Sequence, residues 1–206
     1  MNDSYINDMN RNSFLLILAF IYSTTSQGQK LVVSVNYAPT DTGGGNTILY
    51  RPGLTLNWSD FKGRPAEGSD AAALTNAGFG LKLAFRRVEN SSQLVIDVNC
   101  NFSRKDSWVK PSYKTDYILN HEQKHFDIAY IHTCAFIRQL QNAHFTNANY
   151  TAVIEKIYKE NALAMSTMQN RYDSETSHSR LPTKQAEWND IISEQLALAV
   201  KSMKED

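Results

Sequence analysis

The segment ILNHEQKHFDIAYIH, residues 118–132, places His121 and His125 four positions apart, with Glu122 directly after the first. On a helix, residues i and i+4 lie one turn apart on the same face. Two imidazoles so placed can reach one Zn2+ at about 2.0–2.1 Å. A glutamate beside the first ligand can take a proton from water held by the metal. The bare H-E-x-x-H pattern is short and arises by chance in roughly one chain in a hundred of this length. The plainer alternative is a solvated helix face that happens to carry histidines. The pattern's position, within a strongly helical stretch that follows a run of strands, favours the metal site.

Two ligands are not enough, because catalytic zinc takes three protein ligands and a water. His132 fails on geometry. A third histidine just downstream requires H-E-x-x-H-x-x-G-x-x-H, in which glycine lets the chain turn back. Here Ile128 and Ile131 occupy those positions and the helical pattern continues through Cys134, Ala135 and Phe136. On an unbroken helix His132 lies about 10 Å along the axis from His125. His144 reads as a surface histidine. Glu155 and Glu160, on the next helix, are candidate ligands. RYDSETSHS, residues 171–179, is a denser source, offering Asp173, Glu175 and His178 where that helix ends. Its alternative is a polar helix terminus capped by Asp173 or Thr176.

The elements that must position these groups follow from hydropathy patterning. KLVVSVNY is a β-rich run, and DTGGGN is a turn. LTLNW, GFGLKLAFRRV and SQLVIDVNCNF alternate apolar and polar residues at the strand period. The ENSS turn makes the last two an antiparallel hairpin. KGRPAEGSDAAA reads as a surface loop. After Pro111 the period becomes helical. One helix runs from Ser112 or Thr115 to about Asn142, a second from Tyr150 to Tyr172, and a third begins after Pro182 with Thr183 as N-cap. Strands followed by helices predict an α+β fold, a sheet followed by three helices.

The 206-residue chain carries 21 Lys+Arg and 21 Asp+Glu, and this balance gives no electrostatic reason to expect nucleic acid as partner. At the N-terminus Arg11 precedes the apolar run FLLILAFIY and the small, polar STTSQGQ. This is the layout of a secretory signal peptide, assigned to residues 1–28, with residues 30–206 as one exported domain. The run is too short for a membrane span, which takes about 20 apolar residues. Secreted or periplasmic placement makes a Cys100–Cys134 disulfide plausible, with two buried thiols as the alternative.

LNWSDFKGRP (56–65), DSWVK (106–110), NHEQKHFDIA (120–129) and RYDSETSH (171–178) occur in this order. Together they resemble a bacterial family of predicted secreted zinc-dependent proteases, catalogued as a domain of unknown function. The resemblance covers nearly the whole chain from about Asn46. It implies a zincin-like fold, with His121 and His125 as zinc ligands and Glu122 as general base. It makes Y-D-x-E-T-x-H the source of the third ligand, with His178 first and Asp173 and Glu175 as alternatives. The family usually has glycine after that histidine, where this chain has Ser179.

The function expected on this basis is hydrolysis of a peptide or protein substrate. Glu122 takes the proton from the attacking water and delivers it to the leaving amine. Tyr172 is the candidate oxyanion donor, with Tyr113 and Tyr117 as alternatives and core packing as the plainer role of all three. Asp173 could instead orient a ligand imidazole. The strand at Ser107 to Lys110 is a candidate edge for extended substrate. The rival functions are an exported zinc-binding module without turnover and a non-peptide amidase. The module has no use for the base at Glu122.

Overall fold

The computed structural model describes residues 30–39 and 45–204. The expected signal peptide and most of the DTGGGN turn lie outside the described residues. The order is α+β, a mixed sheet followed by three helices. The strands are β1 (Lys30–Tyr37), β2 (Thr47–Leu49), β3 (Ala73–Leu74), β4 (Ala77–Val88), β5 (Ser91–Ser103) and β6 (Trp108–Val109). The helices are α1 (Asp116–Gln141), α2 (Tyr150–Thr176) and α3 (Pro182–Ser202).

β5 organises the sheet. β4 pairs antiparallel along one edge of it, from Ala77 against Phe102 to Val88 against Ser91, which is the expected hairpin. β1, running parallel, and β2, running antiparallel, share the other edge. Alternation along β5 sends Leu94, Ile96, Val98, Cys100 and Phe102 to one buried face. α1 lies across that face, with α2 and α3 against its other side. Enclosure on both sides is why α1 buries polar as well as apolar residues.

LTLNW does not form a strand. Its alternation ends in a single 3-10 turn, Trp58–Asp60, in which Asn57 and Asp60 cap each other. The Asp60 carboxylate then accepts from the Arg104 guanidinium at 2.6 Å. That turn wraps the start of β6. The Lys62 and Gly63 N–H groups donate to Arg104 O and Ser107 O. The third helix is entered differently from the expectation. Leu181 is the N-cap and Pro182 the first helical residue, where its missing N–H costs nothing, so Thr183 lies inside the helix. Cys100 and Cys134 are free thiols buried in one core cluster, not a disulfide. No helix among the described residues is long and apolar enough to cross a membrane.

The polar residues around the α1 histidines tie it to its surroundings. Gln123 accepts from the Leu56 N–H at 2.8 Å and donates to Asp127 at 2.9 Å. The Tyr50 hydroxyl also donates to Asp127, at 2.9 Å. Lys124 donates to Asp127 at 3.1 Å and to Ser193 of α3 at 3.3 Å. The wrapping turn, α1 and α3 are thereby held in one register.

The turn at Gly63 permits a sharp test. A Cβ there would stand 2.8 Å from both Lys105 O and Ser107 O, backbone atoms with little room to move. Gly63→Ala is expected to cost on the order of 1–3 kcal/mol, read as a lowered urea midpoint at unchanged slope. An unchanged midpoint would show that the turn yields freely.

Candidate metal centre

α1 starts at the second of the two expected positions, with Thr115 as its N-cap. Thr115 Oγ1 accepts from the Ile118 N–H at 3.2 Å, and the helix then runs unbroken to Gln141. Five residues inside it, His121 and His125 point together into the space between α1 and α2. Both are buried, as is Glu122. Unbroken helix also settles the place of His132. It stays on α1 away from the pair, with burial lowering its pKa, and its Nε2 has no partner.

The second helix runs on to Thr176, past the expected end at Tyr172. The added turn carries Asp173 on helical backbone facing α1. Asp173 Oδ1 stands 3.1 Å from His121 Nε2 and 3.0 Å from His125 Nε2, and the two nitrogens are 3.3 Å apart. These three atoms are the one group among the described residues that could hold a metal ion.

His178 is placed differently. Its Nδ1 approaches Asp173 Oδ1 at 3.5 Å, its side chain is half-exposed, and it lines the cavity above the group without joining it. Glu175 is turned away, accepting from Arg171 at 2.7 Å and from the Trp188 indole at 2.9 Å. Glu155 and Glu160 are exposed and face Lys159 and Lys156.

Tyr172 supports the pair from behind. Its ring stacks on His121 at 4.5 Å and meets His125 edge-on at 5.0 Å. Its hydroxyl donates to the His121 carbonyl at 3.3 Å and accepts from Gln185 at 2.6 Å. The hydroxyl is therefore occupied behind the histidines, not free in the cavity to meet an oxyanion. Tyr113 and Tyr117 are largely exposed and do not line the cavity.

The residues fit a bound cation by the chemistry of the donor set. Gln185 Oε1 meets His121 Nδ1 at 2.8 Å, and Gln169 Oε1 meets His125 Nδ1. Both contacts require a proton on Nδ1, which leaves each neutral Nε2 as a bare lone pair. Two lone pairs and a carboxylate oxygen then face one another with no proton between them. Ligands about 2.0–2.1 Å from one zinc at tetrahedral angles stand about 3.3 Å apart, and the observed separations suit a centre of that size. With protons in place of a metal, the group titrates accordingly. Burial opposes charge on His125, yet the bond and charge of Asp173 hold its pKa above the usual value. Burial also opposes charge on Asp173, and both histidines hold its pKa well below the carboxylate range.

Glu122 is the other sign. Its carbonyl accepts from the Thr75 hydroxyl at 3.2 Å, while its buried Oε2 has no protein partner. It lines the same cavity of about 360 Å3, together with residues 71–75 and the α2 face bearing Met165, Gln169 and Asp173. β6 is not the open edge at this cavity. It is buried and paired with β3.

Gln169 and Gln185 went unmarked in the sequence. The only available signal was the spacing of Met165, Gln169 and Asp173, one face of α2 at successive turns. No protein-family model, curated protein or solved structure matches the chain.

A left-handed turn follows the group. Ser177, His178 and Ser179 have φ of 50°, 51° and 66°, values that cost an L-residue about 1–2 kcal/mol each. Ser179→Gly relieves one of them and is expected to raise stability by roughly 0.5–1 kcal/mol after the entropy glycine adds to the unfolded chain. Denaturant unfolding of the metal-free protein reads this, and a loss of stability would show that the Ser179 side chain holds the turn.

Proposed function

We propose that the protein is a zinc-dependent hydrolase of zincin-like construction, acting on peptide bonds outside the cell or in the periplasm. The observation that carries this reading is the convergence of His121 Nε2, His125 Nε2 and Asp173 Oδ1 beside the unpartnered Oε2 of Glu122. The two histidines and the aspartate would hold the ion. Bound there, zinc supplies Lewis acidity that brings the pKa of a water toward about 7. Two histidines and one carboxylate also suit ferrous iron, but Glu122 gives the site a base, which hydrolysis uses and simple metal storage does not. Glu122 takes the proton of the attacking water and returns it to the departing amine.

Peptide as substrate is supported by β3. Lys110 N–H donates to Ala72 O, so pairs 72/110 and 74/108 are the hydrogen-bonded ones. The Ala73 N–H and C=O then point away from β6, along the wall of the cavity. An extended chain laid there can pair with the Ala73 peptide groups while its carbonyl lies over Glu122.

The purified protein is expected to take up one equivalent of zinc and cleave members of a peptide library. Glu122→Gln should keep the zinc and lose about 10²–10⁴-fold in kcat. Equal turnover by both proteins would sink the hydrolase reading. Asp173→Ala should lose zinc and His178→Ala retain it, as read by elemental analysis after dialysis. The reverse result would return His178 to the ligand set.

A further inference from the structure

We infer that Gln185 of α3 and Gln169 of α2 are positioning residues that fix the tautomer of the two imidazoles, so that α3, which contributes no ligand, is part of the metal site. The inference rests on the metal reading above and concerns residues that lie behind the ligands.

The hydrogen bonds around Gln185 form one self-consistent set of directions. The side chain is 1 % exposed and meets three groups, His121 Nδ1, the Tyr172 hydroxyl and the Asn189 side chain. The Tyr172 hydroxyl donates to the His121 carbonyl, and its oxygen accepts from Gln185. Asn189 Oδ1 accepts from Gln185 at 2.9 Å and from Asn120 Nδ2 at 3.0 Å. Both protons of the Gln185 amide are thereby used, and only its oxygen is left for His121 Nδ1. That contact requires Nδ1–H and frees Nε2 to bind an ion.

Gln169 reaches the same result by another route. Its Nε2 donates to the His125 carbonyl at 3.5 Å, which turns its Oε1 to His125 Nδ1. One amide thus clasps the backbone and the ring of the same residue.

The choice of neutral amides has a physical reason. Asp173 and Glu122 already bring two negative charges to the buried group, which balance one divalent cation. Carboxylates behind the imidazoles would set the same tautomer but add negative charge that nothing in the cavity offsets. An amide gives the acceptor without the charge.

The test is zinc affinity, measured by competition with a chromophoric chelator, in Gln185→Met, Gln169→Met and Gln169→Glu. Each methionine keeps the bulk and removes the acceptor, and is expected to weaken zinc binding about 10–100-fold. Gln169→Glu retains the acceptor and should bind zinc more tightly than Gln169→Met. Imidazole 15N spectra of the zinc-loaded protein should show His121 and His125 as Nδ1–H, with the signal of the affected ring altered in its methionine variant. Methionine variants that bind zinc as the parent does, losing only thermal stability in the metal-free state, would overturn the assignment and make the glutamines packing residues. A parent protein that takes up no zinc would overturn the metal reading itself, and this inference with it.

Discussion

The Asp173 carboxylate is the acceptor that His121 and His125 both meet through Nε2, at 3.1 and 3.0 Å, and the contact is between acceptors once the rings are neutral with Nδ1 protonated. Apart from a cation, only protons can make that meeting favourable. The raised pKa of His125 and the lowered pKa of Asp173 describe the protonated alternative. Metal and proton therefore compete for one place. The amide oxygens behind the rings hold the Nδ1 protons, so either occupant would sit at Nε2.

Much of the remaining architecture keeps Asp173 at that distance. α2 must continue through a last turn that its sequence does not advertise, and the chain must then reverse at once. The reversal uses three left-handed residues in succession, with His178 N–H on Asp173 O at 2.8 Å and Leu181 N–H on Thr176 O at 3.0 Å closing it. Strain of this kind persists only where surrounding contacts over-determine it. Here Pro182 starts α3 immediately, and its first turn lays Gln185 behind His121. Ser179 adopts the left-handed φ that glycine favours.

What was legible in the sequence divides along the range of the interaction. The histidine pair with Glu122 beside it, the unbroken helix that excludes His132, and the β4–β5 hairpin follow from periods of 3.6 and 2, which are local. The choice between Asp173 and His178 was not local. Both belong to RYDSETSH, and which one turns toward α1 depends on where α2 ends, a boundary that tertiary packing sets. The glutamines were further out of reach. A glutamine on a helix reads the same whether its oxygen meets water or an imidazole, so only the docking of α3 reveals Gln185. The LTLNW alternation misled for a related reason. Leu56 is buried and its N–H is taken by Gln123 of α1, a side chain doing what a neighbouring strand would do.

Polar residues on a buried helix are costly, and on α1 nearly all have a structural use. Asn120 reaches Asn189, Gln123 and Lys124 converge on Asp127, and Asp127 also receives Tyr50. Thr133 bonds back to its own helix at Ala129. Two buried side-chain atoms of α1 lack partners, His132 Nε2 and Glu122 Oε2. Burial lowers the His132 pKa, which favours the neutral ring, and an unpaired neutral nitrogen costs less than an unpaired charge. A carboxylate oxygen is the costlier case, since an unsatisfied buried acceptor costs roughly 1–3 kcal/mol and a charged one more. A fold that meets the needs of Gln123, Lys124 and Asp127 with such economy has no packing reason to leave Glu122 unmet. Glu122 lines the cavity shared with His121, His125 and Asp173, which is where a group from outside the chain could meet that unpartnered oxygen.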